Sequence, residues 1–272
     1  MLRNIRIGVQ LNPAGITDYP TWRAAVRHAE QLGTDVIFGY DHFLSPKAEI
    51  PGAEPIPEGT PELTNFEGWT ALAGWGEITT RAEIGLLVTG IGFRNPDLLA
   101  DMARTVDHIS GGRLILGVGA GWFEREYKTY GYDFGTVKSR MDLFDDGLLR
   151  IKNRLHQLTP PPVRKIPVLI GGSGAKRTLP AVARHADIWH SKLPIDAYRD
   201  ATARVGELAE GFGRASGDIE RSVSWDDERS SEQYADAGAT LFIIELWPAS
   251  DGYDFSTLEE MIKWRDAQSA VA

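Results

Sequence analysis

The sequence predicts an α/β protein of the (β/α)8 barrel class. Three observations carry that prediction. Short apolar runs alternate with amphipathic helical stretches from end to end, and the alternation reaches eight units. It does so within 272 residues, close to the roughly 250 of a typical barrel. No linker divides the chain, so 1–272 reads as one barrel domain and not as an open doubly wound sheet with a second domain.

The units follow in order. Ile5 to Leu11 is the first strand, and Tyr19 to Leu32 is a helix with Trp22, Ala25, Val26 and Ala29 on one face. Val36 to Gly39 is the second strand. A long segment, Leu44 to Asn65, precedes a helix from about Phe66 to Ile78 and the third strand, Ile84 to Val88. Asn95-Pro96-Asp97 opens the next helix with an amide cap and a proline at its first position. Ser110-Gly111-Gly112 closes it before the fourth strand, Leu114 to Val118. A helix from about Lys138 to Leu155 leads through Thr159-Pro160-Pro161-Pro162 to the fifth strand at Val168. Ala175 to His185 is helical and returns to the sixth strand, Ile188 to His190. Ile219 to Trp225 and Leu241 to Leu246 complete the strands, with helices at Ala197 to Phe212, about Glu228 to Ala237, and Thr257 to Ala267.

Composition narrows the function. A hydrophobic content of 42% with eight tryptophans supplies a substantial core. A net charge of -9 and a pI near 5.2 argue against a nucleic-acid partner, since no run of lysine and arginine offers phosphates a basic surface. There is no cysteine, hence no disulfide framework, thiolate metal site or thiol nucleophile. The N-terminus enters a strand without a signal-peptide core, and no apolar run is long enough to cross a bilayer, so a soluble cytoplasmic protein acting on a small molecule is expected.

In a barrel, the residues just after each strand build the site. Here they are Gln10 and Asn12; Tyr40, Asp41 and His42; Val88, Thr89 and Gly90; Gly119, Ala120, Gly121 and Trp122; and Trp189, His190 and Ser191. The fifth strand ends in Gly171-Gly172-Ser173-Gly174, followed by Lys176 and Arg177. That run reads either as a phosphate cradle, with backbone N–H groups and a helix start converging on an anion, or as a plain strand-to-helix turn. It matches neither the P-loop nor the full Gly-x-Gly-x-x-Gly spacing. The segment after the second strand, with Pro46, Pro51, Pro55, Pro57 and Pro61, reads equally as a lid or as an irregular crossing. No metal constellation, nucleophile elbow or Schiff-base lysine occupies a strand end, which leaves a glycine-lined mouth suited to a planar cofactor.

These motifs together carry a resemblance. Ile7-Gly8-Val9-Gln10, Tyr40-Asp41-His42-Phe43, Phe93-Arg94-Asn95-Pro96, Ser110 to Leu114 with Gly117 to Trp122, the Ile170 to Gly174 loop, and Ala186 to Trp189 resemble the bacterial luciferase-like superfamily. The likeness runs in order from Ile5 to about Trp189 and is closest to members that use the deazaflavin coenzyme F420 in place of FMN. It implies a flavin or deazaflavin in the C-terminal mouth, its phosphate on Gly171, Gly172, Ser173 and Gly174, and a non-proline cis peptide at Leu87-Val88 behind the ring. Thr89, Gly119, Ala120 and Gly121 would line the ring edge, with Asp41 anchoring a loop or the cofactor. His42 would face the reacting atoms as the acid/base candidate, against a purely hydrogen-bonding or packing role. Gln10, Asn12, Trp122 and Trp189 are the substrate-side candidates, with barrel packing, the commoner role of aromatic residues, as the other reading of the two tryptophans.

Two departures stand out. Trp122 occupies the place where sugar-phosphate dehydrogenases of the superfamily have a glutamate, and a bare proline-rich connector from Leu158 to Val168 stands where many relatives insert a hairpin. The second opens the mouth, to a longer cofactor tail or to a partner subunit. The resemblance therefore implies hydride transfer between F420 and a small organic molecule, in a homodimer. An FMN-dependent monooxygenase and a non-catalytic flavin-binding protein are the alternatives. The polyglutamate tail of F420 would need Arg125, Lys128, Lys176, Arg177 or Lys192 at its exit, because the chain is acidic overall.

Overall fold

The computed structural model describes residues 4–16, 18–46, 65–249 and 252–270. Their strands are β1 (Arg6–Leu11), β2 (Val36–Gly39), β3 (Glu83–Leu86), β4 (Thr89–Gly90), β5 (Leu114–Gly119), β6 (Val168–Gly171), β7 (Ile188–Ser191), β8 (Glu220–Ser224) and β9 (Leu241–Leu246). The helices are α1 (Tyr19–Leu32), α2 (Gly68–Ile78), α3 (Pro96–Ile109), α4 (Glu124–Tyr130), α5 (Val137–Gln157), α6 (Thr178–His185), α7 (Ile195–Gly211), α8 (Glu228–Asp236) and α9 (Ser256–Ala270).

All ladders are parallel. The order β3-β2-β1-β9-β8-β7-β6-β5 closes on itself through β3–β5, with β4 pairing β5 beyond that point. Eight strand positions therefore form the expected barrel. The third position is in two pieces, β3 and β4, and the Leu87–Val88 peptide between them is cis, at the bond the resemblance singled out.

Strand alternation sorts the core into two layers. Val36, Phe38, Ile115, Leu169, Ile188, Leu241 and Ile243 fill the barrel interior. Their sequence neighbours face outward onto helices, where the larger cluster holds Trp22, Trp75, Trp189 and Trp264. Space inside is tight: a β-carbon at Gly117 would collide with the Leu86 carbonyl oxygen, so only glycine lets these strands close.

Helix ends follow the sequence signals. Asp18 caps α1 by accepting from the Thr21 N–H at 2.8 Å, and Gly33 ends it at φ 104. Asn95 caps α3. The expected helix at Ala175 begins instead at Thr178, because residues 175–177 make a turn from the glycine run.

The N-terminal end of the barrel is closed by charge. Arg6 on β1 binds Glu220 on β8 at 2.7 Å and also Glu83 on β3, which Arg164 grips from the connector. The proline-rich connector thus lies at this closed end and its shortness does not open the mouth, contrary to expectation, because a helix-to-strand connection in a barrel lies opposite the strands' C-terminal ends. Arg113 donates to the Gly76, Thr79 and Ala82 carbonyls and to Thr79 Oγ1, at 2.6–3.0 Å, tying the end of α2 to the foot of β5. Arg265 of α9 reaches the Gly33 carbonyl and Asp35, whose carboxylate also accepts the Ile7 N–H.

Candidate functional site

A cavity of about 520 Å³ opens at the C-terminal ends of the strands, within the range that accommodates a small ligand or cofactor. It gathers Gln10, Asn12, Asp41, His42, Leu87, Val88, Gly119, Ala120, Gly121, Trp122, Gly171 and Gly172 from the sequence-predicted set. Thr89 lies behind the wall, where its hydroxyl accepts the Trp69 indole N–H at 2.9 Å and also hydrogen-bonds Asp41. Ser173 and Gly174 are exposed and lie beyond the lining. Residues 47–64, most of the segment read as a lid or a crossing, lie outside the described residues.

Trp189 requires a correction. The substrate-wall reading put it in the mouth, but its side chain is fully buried on the helix side of β7, stacked on Tyr198 at 5.8 Å between ring centres. Its indole N–H donates to the Gly172 carbonyl at 2.8 Å, so it braces the glycine loop from outside. Strand parity is the cause: Trp189 faces out, and the next residue, His190, faces in.

His42 sits on the opposite wall with a partner that the sequence reading missed. Its Nδ1 lies 3.0 and 3.1 Å from the two carboxylate oxygens of Glu126 on α4. Glu126 is fully buried and also accepts the Leu44 N–H at 3.1 Å. A carboxylate can only accept, so Nδ1 carries the proton and Nε2 is the nitrogen left for the cavity. The Asn65 amide donates to the His42 carbonyl at 2.8 Å, and Trp122 packs edge-on against the ring at 5.6 Å. The available signal was an acid on the apolar stripe of α4, three residues after Phe123 and four before Tyr130.

Asp41 is clamped bidentately by Arg94, at 2.5 and 2.9 Å, and Arg94 also binds Glu67, the N-cap residue of α2. Burial pushes the Asp41 carboxyl up to about 6, against the pull of Arg94. This pair fixes the chain entering His42. Asp41 is thus an anchor, one of the readings the sequence left open.

The floor carries unpaired polar atoms. Both amide atoms of Asn12 and Nε2 of His190 are buried without a hydrogen-bond partner, and both residues line the cavity. His190 Nδ1 meets Ser222 Oγ at 2.9 Å. Burial, with Lys192 nearby, pushes the His190 imidazole down to about 3, so it is neutral at physiological pH. Gln10 is instead engaged, donating to the Leu87 carbonyl at 2.9 Å and so holding the third strand where it breaks. Buried orphans are costly unless a ligand supplies the missing bonds. Among the described residues no group of His, Asp and Glu could hold a metal ion, and no helix is long and apolar enough to cross a membrane.

Fold and site together define a (β/α)8 protein whose C-terminal mouth is a glycine-lined cavity with a half-buried histidine on a buried carboxylate. The chain belongs to the luciferase-like monooxygenase family, whose sequence model matches residues 4–226. A Mycobacterium tuberculosis protein provisionally named a coenzyme F420-dependent oxidoreductase is 27% identical over 241 residues, covering 79% of this chain and 62% of that one. The chain therefore spans less than two thirds of that relative's length. The F420-dependent tetrahydromethanopterin reductase of Methanopyrus kandleri superposes with a TM-score of 0.71 at 16% identity, covering 95% of this chain and 97% of that one. A riboflavin lyase solved with modified FMN superposes at 0.69 and 16% identity, covering 86% and 66%. At such identities the structural likenesses establish the fold; of these two neighbours, one is F420-dependent and the other was solved with modified FMN.

Proposed function

We propose that this chain is an F420-dependent oxidoreductase that transfers a hydride between the deazaflavin and a small organic substrate. The observation that carries the reading is the His42–Glu126 pair on the wall of a glycine-lined cavity that opens onto the Gly171–Gly174 loop. The residues present fit such a group. Gly119 to Gly121 present a wall nearly free of side chains, and the orphaned Asn12 amide and His190 Nε2 await a polar ligand edge. When bound, the cofactor supplies the hydride at its C5.

The chain's own residues do the rest. Gly171, Gly172, Ser173 and Gly174 with the start of α6 would hold the cofactor's phosphate. His42 gives or takes the proton that accompanies hydride transfer, through Nε2, while Glu126 fixes its tautomer and ring plane. Trp122, 54% exposed at the rim, covers the substrate. Asn12 and His190 select a substrate or cofactor edge with both donor and acceptor character.

One observation favours the alternative, an FMN-dependent monooxygenase. Three cations expected to guide a polyglutamate tail are committed elsewhere: Arg177 to Asp142 and Asp145, Lys192 to Glu245, and Lys128 to Glu124. Exposed pairs of this kind are worth at most about 1 kcal/mol and exchange readily, so a polyanion can recruit them. Equilibrium titration with F420 and with FMN, at low and at moderate ionic strength, decides. Tighter binding of F420 is expected; a preference for FMN at both ionic strengths overturns the cofactor assignment and leaves the barrel and phosphate loop standing.

A further inference from the structure

A second cavity, of about 540 Å³, lies far from the mouth, between α5, α6 and the proline-rich connector at the N-terminal side of the barrel. Its floor is aliphatic: Leu148, Ile151 and Leu155 of α5, with Leu116 and Val168 at the feet of β5 and β6. No phenylalanine, tyrosine or tryptophan is among its lining residues. Its rim carries Lys152, Arg164, Lys165, Arg184 and Arg214 against a single carboxylate, Asp187. In a chain of net charge -9, that local excess of positive charge runs against the whole molecule.

Most of these cations already have work. Arg164 binds Glu83, Lys165 binds Asp187, Arg214 donates to the Ala183 and Ala186 carbonyls, and Arg184 stacks over Phe212 at 4.4 Å. Lys152 makes no hydrogen bond or ion pair among the described residues. Neither do the lining imidazoles of His156 and His185. Burial, with the charges of Arg184, Lys152 and Arg214, lowers the His185 imidazole from its ordinary value, against the pull of Asp145. The wall is preformed, because His108 and Arg104 grip the Pro161 and Pro160 carbonyls at 2.8 and 3.1 Å, and Asp107 accepts the Val163 N–H.

We propose that this cavity binds an aliphatic monocarboxylate, its unbranched chain on the leucine–isoleucine floor and its carboxylate on Lys152 with His156 and His185. One free ammonium flanked by imidazoles matches a single negative charge, and a floor of branched aliphatic side chains matches an alkyl tail. The site is independent of the reaction in the mouth.

Calorimetric titration of the intact chain with sodium decanoate, below its micellar concentration, tests this. Saturable binding of one decanoate per chain is expected, at least tenfold weaker in Lys152→Glu, whose exposed side chain can change without disturbing the fold. Decanol should bind at least tenfold more weakly than decanoate, and Trp122→Ala at the mouth should leave the affinity unchanged. The proposal is overturned by an absence of saturable heat, by equal binding of decanol, or by undiminished binding in Lys152→Glu. It also falls if Trp122→Ala abolishes binding, which would put decanoate in the mouth. Finally, it falls if decanoate does not bind while Lys152→Glu changes the sedimentation coefficient, because the face is then a contact between copies of the chain.

Discussion

At the N-terminal end of the barrel Arg6, Glu83, Glu220 and Arg164 satisfy one another, whereas in the lining of the C-terminal cavity three buried polar atoms, two on Asn12 and one on His190, have no partner among the described residues. Arg6, Glu83, Glu220 and Arg164 plug one opening. The other opening exposes Trp122 and a loop of glycines. The difference teaches where each end's sequence constraints come from: the plug answers to folding stability, and the mouth to a molecule that is not part of the chain.

Variants can break that contrast. The largest effect is expected at the closed end, where Arg113→Ala strips donors from four acceptors around the end of α2. Urea denaturation should show a loss of about 3 kcal/mol, with cofactor affinity of the folded fraction unchanged within about twofold. An unaltered midpoint would remove the stability half of the comparison.

At the mouth the order reverses. His42→Ala should lower kcat about 100-fold, near 2.7 kcal/mol in barrier, and Glu126→Gln about tenfold, with cofactor Kd nearly constant in both. Single-turnover absorbance of the reduced cofactor with a substrate that it reduces reads this directly. Rates within twofold of wild type for both variants would take proton transfer away from the pair.

Gly172 has φ 114, where an aspartate would strain the backbone, so the cleaner probe of the anion cradle is its exposed neighbour. Ser173→Asp should weaken cofactor binding about tenfold, roughly 1.4 kcal/mol, with far-UV circular dichroism unchanged. Equal affinities would assign the glycines to chain turning alone.

The last effect is absent at neutral pH and develops only in acid. The His190 imidazole is pushed down to about 3 in the folded chain, below its ordinary value near 6.5 when unfolded. Between those values the unfolded state holds more protons, so wild-type stability falls as pH drops below about 6.5, by at most about 1.4 kcal/mol per pH unit from this group. His190→Asn removes that slope. The two proteins should lose the same stability above pH 7, while the acid limb of the variant is shallower; parallel profiles from pH 7 to 4 would show that His190 is not held neutral.

How much of this could be read from sequence depends on whether the signal was local. Alternating strands and helices, the Asn95 cap and the strand-end glycines are written in contiguous residues, and they placed the barrel and most of the mouth. The seven-residue α4 makes barely two turns, so the spacing of Phe123, Glu126 and Tyr130 was a faint local mark of Glu126. In β7 all four residues are buried, so the pattern of apolar residues could not say that Trp189 faces out and His190 in. Glu126 and Arg94 gain their meaning from partners 84 and 53 residues away. The cationic rim was equally hidden, since Lys152, Arg164, Arg184 and Arg214 come from four separate stretches and no run of charge marks them.

The tie from Arg265 to Gly33 and Asp35 has a consequence for synthesis on the ribosome. One edge of β1 pairs only with β9, and the carboxylate that orders its Ile7 N–H is steadied by a residue in the last helix. The nascent chain can therefore assemble helix-backed strands as they emerge, yet the first strand keeps an open edge until β9 leaves the exit tunnel. Ring closure waits for β9, and until that strand is available the free edge of β1 is open to mispairing.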